Sequence, residues 1–252
     1  MSRRLIESFR DARRDSELVV LEGFHALKHA LRFGAEVLEV AAAEPRELER
    51  LALDLSPDLA EIVAAMTREV QRETLAALAP RVPRTAVIAI ARRPPVDLAQ
   101  CLADPRAAPI VLLEDPRNMG NLGACVRVAA AADAVAVLST GSNDPWHPDA
   151  VRGAAGLHYA LPVVRISEPP ISDRPLVGLD PGGDELGPRE LPGRAILAFG
   201  SERYGLSDQL LMACTQRLRI PMRSGVSSLN LATAVAAVLY ARRLSNAPQG
   251  ND

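Results

Sequence analysis

Aromatic side chains are scarce in this chain, where they make up 3% of the residues. Proteins that hold single-stranded nucleic acid by stacking a series of bases need several exposed rings, so the composition disfavours that class. Charge of one sign is also lacking, because 29 basic and 31 acidic residues leave a net charge of −2. Without a basic excess, any nucleic-acid partner must be held by local patches.

Cysteine and histidine are too few and too dispersed to predict a metal centre. Cys101, Cys125 and Cys214 are widely spaced and odd in number, which indicates neither a disulfide framework nor a zinc site. His25 and His29 lie four residues apart, as two ligands on one helix would, but no His-Glu-x-x-His pattern or third ligand accompanies them. An ordinary helix surface is the favoured interpretation, and we expect no metal.

Several enzyme and membrane signatures are absent as well. The nearest approach to Gly-x-Gly-x-x-Gly, at residues 120–123, has only two of the glycines, which disfavours a nucleotide-binding oxidoreductase. The P-loop and Gly-x-Ser-x-Gly patterns do not occur. No apolar stretch approaches a membrane span, and no signal peptide is visible, so we expect a soluble, cytoplasmic protein without a membrane partner.

Strand-like and helix-like runs alternate along the chain, which predicts an α/β protein. We expect a small α/β domain over residues 1–92 and a proline-rich linker over residues 93–108. A second domain over residues 109–246 begins with a run that is apolar on both faces, as central strands of parallel sheets are. Residues 247–252 are predicted to be a disordered tail.

Three local predictions concern single elements. Residues 61–65 are predicted as a short strand of the first domain, and residues 176–179 as an edge strand of the second. The final helix is expected over about residues 229–244, with Ser228 as its N-cap.

Arginines crowd the N-terminus, at positions 3, 4, 10, 13 and 14. One interpretation is a solvated helix with ion pairs to Glu7 and Asp11. The other is a local basic patch, since arginine suits bidentate phosphate contacts. The sequence leaves both open.

Three polar segments in the second domain each follow an apolar, β-branched run. They cover residues 121–127, 200–205 and 220–230, and they are rich in Gly, Ser and Asn. Because ligands of open α/β sheets bind outside the carboxyl ends of the strands, the three segments together predict one site. Singly, each has a structural explanation: a capped helix with a surface arginine, a turn, and an N-cap serine.

Taken together, these segments resemble the SpoU/TrmH family of the SPOUT methyltransferases, which move a methyl group from S-adenosylmethionine (AdoMet) to a ribose 2′-hydroxyl of RNA. The order and spacing of the motifs agree, over about residues 109–245 and more faintly over residues 18–90. The matching residues are Asn121, Gly123 and Arg127, then Gly200, Ser201, Glu202 and Gly205, then Ile220, Pro221, Met222, Ser228, Leu229 and Asn230.

The resemblance implies a fold, a cofactor and partners. The second domain would be a parallel-sheet SPOUT domain with a deep trefoil knot, a feature nearly absent from proteins. Residues 1–92 would bind the RNA substrate, which would be rRNA or tRNA. AdoMet would be the cofactor, and a homodimer would form through the knotted domain.

The resemblance also implies roles for the site residues. Arg127 would assist deprotonation of the ribose hydroxyl together with an RNA phosphate, or hold that phosphate, since its solution pKa argues against a simple base. Glu202 would anchor the site, while Asn121, Ser228 and Asn230 would orient the ribose and the loops. Contacts to the cofactor, largely from the backbone, would come from Gly200, Ile220, Met222 and Leu229.

This chain departs from the family pattern at three points. Asn118 begins a second Asn-x-Gly three residues early, although the six-residue step to Arg127 favours Asn121. Ala154 stands where the family often has serine, and Arg203 occupies a usually small position. Two alternatives stay open, namely a non-catalytic RNA-binding protein with a SPOUT fold and a SPOUT enzyme that methylates a base.

Overall fold

The computed structural model describes residues 2–187 and 191–245. Two compact units emerge, the first formed by Met1–Pro95 with Trp146–Ala160 and the second by Val96–Pro145 with Leu161–Asp252. The first unit is therefore not contiguous in sequence. The predicted disordered tail lies outside the described residues.

Helices and strands follow one another along the described residues, mostly in alternation. The helices are α1 (Ser2–Ala12), α2 (Phe24–Arg32), α3 (Pro45–Leu55), α4 (Ala60–Met66), α5 (Arg72–Leu78), α6 (Leu98–Ala103), α7 (Met119–Ala131), α8 (Pro148–Gly153), α9 (Asp208–Ala213) and α10 (Leu231–Ser245). The strands are β1 (Leu18–Glu22), β2 (Val37–Ala42), β3 (Thr67–Glu69), β4 (Val87–Arg92), β5 (Ile110–Leu113), β6 (Ala136–Ser139), β7 (Val163–Arg165), β8 (Leu176–Glu185), β9 (Ile196–Phe199) and β10 (Gln216–Arg219). None of these helices is long and apolar enough to cross a membrane.

The first unit is built on a four-stranded mixed sheet in the order β1-β4-β2-β3. Helix α1 buries Leu5, Phe9 and Ala12 against this unit's core, which leaves its polar face to solvent. The strand predicted at residues 61–65 is wrong, because this stretch lies in helix α4. Ala60 and Val63, three residues apart, are its buried positions, which is the helical period rather than the alternation of a strand.

The segment Trp146–Ala160 joins the first unit through ion pairs and a close backbone contact. The nearly buried carboxylate of Glu22 accepts hydrogen bonds from Arg13 (2.9 Å) and from Arg152 of α8 (3.0 Å). Gly156 has a φ of +78°, and a Cβ there would lie 2.4 Å from the carbonyl oxygen of Ala26. Glycine is therefore required for this segment to pack against α2.

The second unit carries a six-stranded sheet in the order β10-β8-β9-β5-β6-β7, in which every neighbouring pair is parallel. The prediction of an edge strand at residues 176–179 is wrong. This stretch starts β8, which pairs with β9 on one side and β10 on the other. The surrounding residues 167–193, rich in Pro, Gly and acidic residues, are typical of an edge, but Val177 is fully buried, and Gly178 leaves room for Cys214.

The predicted linker contains helix α6, and from Val96 onwards it belongs to the second unit. Arg174, which is 3% exposed, fixes this stretch by donating to the backbone carbonyls of Leu102 (2.8 Å), Ala108 (3.0 Å) and Asp104 (2.7 Å). Burial lowers the pKa of the Arg174 guanidinium. The carbonyls of a proline-broken stretch thus find partners in a side chain far along the sequence.

Candidate active site

A cavity of about 510 Å³ lies at the carboxyl ends of β9 and β10 and beside the middle of β8 in the second unit. The loops that follow β9 and β10 line it, as the parallel arrangement predicts. Its lining includes six of the nine predicted site residues, which are Gly200, Glu202, Ile220, Met222, Ser228 and Leu229.

The loop after β9 is a tight hairpin. Ser201 and Gly205 exchange two backbone hydrogen bonds, with N···O distances of 3.1 and 3.0 Å. Gly205 adopts a φ of +68°, and a Cβ at Gly200 would lie 1.9 Å from the carbonyl carbon of Gly205. Only glycine fits at position 200, because any side chain there would collide with the backbone that closes the same hairpin.

Three side chains from three loops form one hydrogen-bonded chain. The Nδ2 of Asn121 donates to Oε1 of Glu202 at 2.8 Å, and the Nδ2 of Asn230 donates to Oδ1 of Asn121 at 3.1 Å. The Oδ1 of Asn230 in turn accepts from the backbone N–H groups of Ala232 (3.0 Å) and Thr233 (3.4 Å). The orientation of each side-chain amide in this series of hydrogen bonds is fixed, because each donor must face an acceptor.

The N-cap predicted for the last helix is therefore wrong. Helix α10 begins at Leu231, and its first free N–H groups are satisfied by Asn230, not by Ser228. Ser228 is exposed and lines the cavity instead. The two candidate asparagines of the first motif also separate, since Asn118 caps α7 through the backbone N–H of Asn121 at 3.0 Å, while the Asn121 side chain faces Glu202.

Arg127 does not occur among the described residues that line the cavity. It lies on α7, two turns after the start of the helix, and its side chain is exposed. The structure thus joins Asn121, Glu202 and Asn230 directly and leaves the guanidinium of Arg127 facing solvent.

Two residues that sequence reasoning missed belong to the same sheet edge. Glu114 follows β5 directly and accepts hydrogen bonds from the backbone N–H (2.7 Å) and the hydroxyl (2.6 Å) of Ser207, which fixes the end of the loop after β9. Tyr204 lines the cavity and is 75% exposed. Glu114 could have been identified from the sequence by the rule that located the other segments, because it directly follows a central strand.

Cys125 is a buried residue of α7, the helix that also carries Asn121. Burial raises the pKa of its thiol to about 12, and the negative charge of Glu202 adds to the effect. The thiol is therefore neutral near pH 7 and is unsuited to act as a nucleophile.

No histidine lies among the described residues that line the cavity. In the first unit, Nδ1 of His29 donates a hydrogen bond to the carbonyl oxygen of Ala155 at 2.7 Å. Burial lowers the pKa of the His29 imidazole. Over residues 2–187 and 191–245, no group of three or more His, Cys, Asp or Glu side chains is placed to hold a metal ion.

The donor set of the cavity fits AdoMet. Its volume lies in the usual range for small-molecule sites, about 300–1,000 Å³. Ile220, Met222 and Leu229 offer apolar surface to an adenine ring, and the bare backbone at Gly200 offers hydrogen-bonding groups. The carboxylate of Glu202 supplies a negative charge beside a cationic ligand.

A model of the SpoU rRNA Methylase family matches residues 108–240. The chain belongs to this family. A 23S rRNA (adenosine(1067)-2′-O)-methyltransferase of Streptomyces laurentii is 28% identical, with 98% of this chain and 94% of the relative covered. A 23S rRNA (uridine(2479)-2′-O)-methyltransferase of Streptomyces viridochromogenes is 33% identical over 52% of this chain and 50% of the relative, so the chain spans about half of that protein.

The fold is that of SpoU methyltransferases. The crystal structure of AviRb from Streptomyces viridochromogenes in complex with AdoMet superposes with a TM-score of 0.77, covering 97% of this chain and 98% of that one, at 24% identity. The predicted family and the predicted α/β fold with a parallel-sheet SPOUT domain are thereby confirmed.

Proposed function

We propose that this protein is an AdoMet-dependent RNA methyltransferase that modifies a ribose 2′-hydroxyl of rRNA. The observation that carries the proposal is the series of hydrogen bonds from Asn230 through Asn121 to Glu202 beside the cavity. It lies within the residues matched by the family model, and the two relatives named above are 2′-O-methyltransferases of 23S rRNA.

In this proposal Gly200, Ile220, Met222 and Leu229 hold AdoMet. When bound, AdoMet supplies a methyl group already activated by its sulfonium. A ribose hydroxyl is a poor nucleophile, so the chain has to position it and help remove one proton. Accurate positioning contributes several kcal/mol to a rate, and proton removal by a placed group contributes about 10²- to 10⁴-fold.

The polar residues divide this work. The amide of Asn121, fixed between Glu202 and Asn230, keeps the three loops in one geometry, and Ser228 contacts the ribose. Arg127 binds the phosphate next to the target nucleotide, for which its exposed guanidinium is suited. In this role Arg127 assists loss of the proton by stabilising the negative charge that develops on the ribose oxygen.

RNA also binds to the first unit in this proposal. Arg10 of α1 and Arg14, in the turn that follows this helix, are exposed and lie four residues apart. Arg3 pairs with Glu7 at 3.2 Å, and Arg13 is engaged with Glu22. Both interpretations of the arginine cluster thus find support, since some of its members form ion pairs and others are left to solvent. The solvent-facing arginines suit phosphate groups.

A homodimer through the second unit, with a trefoil knot in each copy, completes the proposal. Tyr240 and Leu244 expose apolar surface on α10, 38% and 72% respectively, one turn apart. Sedimentation of Leu244→Glu tests the dimer: we expect a shift from dimer to monomer, and an unchanged dimer would place the interface elsewhere.

The deciding experiment is methyl transfer from labelled AdoMet to rRNA transcripts, followed by alkaline hydrolysis. A 2′-O-methyl group blocks cleavage at its own nucleotide, whereas a methylated base leaves cleavage intact. Label in an alkali-resistant dinucleotide is the expected result. Label in mononucleotides would support base methylation, and AdoMet binding without transfer to any RNA would contradict the proposal.

Calorimetry with AdoMet separates a remaining alternative, a non-catalytic RNA-binding protein. Binding heat is expected here because the cavity lining fits the cofactor. A protein that binds RNA but gives no heat with AdoMet would fit that alternative instead.

A further inference from the structure

The hairpin after β9 carries two large side chains at its tip. Tyr204 is 75% exposed and lines the cavity, and the guanidinium of Arg203 lies 5.3 Å from the centre of its ring. A ring so open to water gains little from folding, because most of its apolar surface stays hydrated. The stacked arginine adds a positive charge at the same place.

The position of this ring is fixed by the loop beneath it. The backbone N–H of Tyr204 donates to the hydroxyl of Ser201 at 3.3 Å, and the two backbone bonds between Ser201 and Gly205 close the hairpin. Glu202, two residues before Tyr204, is held by Asn121. An exposed ring is thus presented by a loop that is tied to the polar centre of the site.

We propose that Tyr204 is a stacking platform for an unpaired base of the RNA substrate, with Arg203 neutralising the phosphate of the same nucleotide. This inference rests on the proposed function and adds a substrate class to it. A base within a duplex has both faces covered by its neighbours, so only a base in a loop, bulge or single strand can stack on a protein ring. Tyr204 is a specificity-determining residue and takes no part in the transfer of the proton.

The composition of the chain is consistent with a single platform. Aromatic residues are too scarce for a series of stacked bases, but one base next to the methylated ribose needs one ring. Arginine beside that ring binds a phosphate without requiring a basic protein overall. The exposure of Tyr204 disfavours packing of the ring on the adenine of AdoMet, which the deeper lining residues would hold.

The test compares Tyr204→Ala, Tyr204→Phe and Arg203→Ala with Met212→Ala, a control on α9 that removes an 84% exposed apolar side chain outside the cavity lining. KM and kcat are measured on rRNA transcripts, and AdoMet affinity is measured by calorimetry. Loss of one stacked base is expected to raise the KM of Tyr204→Ala for RNA by about 5- to 140-fold. Tyr204→Phe and Met212→Ala should stay near wild type, and AdoMet affinity should not change in any variant.

Three results would overturn the inference. Unchanged KM in Tyr204→Ala would leave the ring merely exposed, and weaker AdoMet binding in that variant would assign the ring to the cofactor. A preference of wild type for a transcript annealed to its complement over the unpaired one would contradict the substrate class.

A photochemical arm tests the contact without relying on turnover. Transcripts with 5-iodouridine are irradiated at a wavelength that only the iodinated base absorbs, and the cross-linked peptide is identified by mass spectrometry. We expect a cross-link at Tyr204 that disappears when the RNA is annealed to its complement. If wild type transfers no methyl group to any RNA, the proposed function fails; a cross-link at Tyr204 would still support stacking, and its absence would remove both.

Discussion

Two asparagines three residues apart do different work in this protein. The side chain of Asn118 completes the first turn of α7, whereas that of Asn121 joins Glu202 to Asn230. Their amide groups are chemically identical, so the distinction comes from position on the helix alone. The cap needs only a side-chain acceptor, but the bridge needs a donor and an acceptor on one planar group.

This division predicts opposite outcomes for two matched substitutions. Asn118→Ser keeps a good N-cap and should leave methyl transfer close to wild type. Asn121→Ser is too short to bridge Glu202 and Asn230, and kcat should fall about 10- to 100-fold because the loops lose their alignment. Single-turnover assays of both variants check this, with AdoMet calorimetry as the control. Loss of activity in Asn118→Ser with Asn121→Ser unaffected would reverse the assignment.

Cys125 gives the site helix a measurable dependence on pH. The folded-state pKa of its thiol, about 12, lies above the ordinary value of 9.0. A group whose pKa is raised on folding stabilises the native state in full below its unfolded pKa, and this contribution is lost as the pH rises through the folded value.

The free energy of unfolding should therefore fall between about pH 9 and pH 12, and more steeply in wild type than in Cys125→Ala. Urea titrations across this range measure the difference. Parallel pH profiles for the two proteins would show that the thiol of Cys125 ionises as freely in the folded state as in the unfolded one.

At the scale of single elements, the segment from Trp146 to Ala160 depends on one glycine. Gly156 and Gly34 have similar positive φ angles, +78° and +76°, but they differ in their surroundings. A Cβ at Gly156 would clash with Ala26, whereas a Cβ at Gly34 would meet nothing within 4 Å. The pair therefore separates backbone strain from close packing.

Gly34→Ala should cost about 1–2 kcal/mol for the left-handed backbone alone. Gly156→Ala should cost about 2–5 kcal/mol, since overpacking adds to the same strain. Urea unfolding followed by the fluorescence of the one tryptophan, Trp146, reports on the segment itself. Equal losses in both variants would mean that the segment shifts to accept the extra methyl group.

An element could be predicted from the sequence when the residues that determine it lie close together in the chain. The convergence of the loops at residues 200–205 and 220–230 followed from local patterns, because parallel strands end at one edge. The Asn121–Glu202 and Asn121–Asn230 hydrogen bonds join residues 81 and 109 positions apart, and no local rule predicts them.

Two errors show the limit of local patterns more sharply. A serine before an apolar helix is a sound N-cap by type, but Asn230 competes for the same N–H groups from two residues closer. The edge strand at residues 176–179 was judged by its own composition, whereas its place in the sheet is decided by β10, about forty residues later. The sequence gives no signal for Tyr204, because the exposure of a side chain cannot be inferred from a motif.

At the scale of the whole molecule, the net charge of −2 means that RNA is held by patches rather than by an overall field. The salt dependence of binding then counts the few cations in contact with phosphate. Arg10 of α1 and Arg14 in the turn after it add to that count in the proposed function.

Replacing Arg10 and Arg14 together by glutamine should weaken binding of an rRNA transcript and reduce the slope of log K against log salt by about 2. The matched control replaces Arg46 and Arg50, which are also exposed and four residues apart on α3 but stand among acidic residues, with Arg50 paired to Glu47. Filter binding over a range of salt concentrations gives both slopes. The same change of slope in both double variants would show a response to net charge rather than contact by α1.

Residues 146–160 belong to the first unit, although the segments on both sides of them belong to the second. This arrangement affects how proteins of this architecture can exchange parts during evolution. The chain leaves the second unit after Pro145, contributes α8 to the first unit, and returns at Leu161. A recombination event that replaced only residues 1–95 would separate Glu22 from its partner Arg152 and leave an unmatched surface opposite Gly156. New versions of the first unit can therefore be inherited intact only as two separate pieces of gene, which favours gradual divergence of this unit over its replacement.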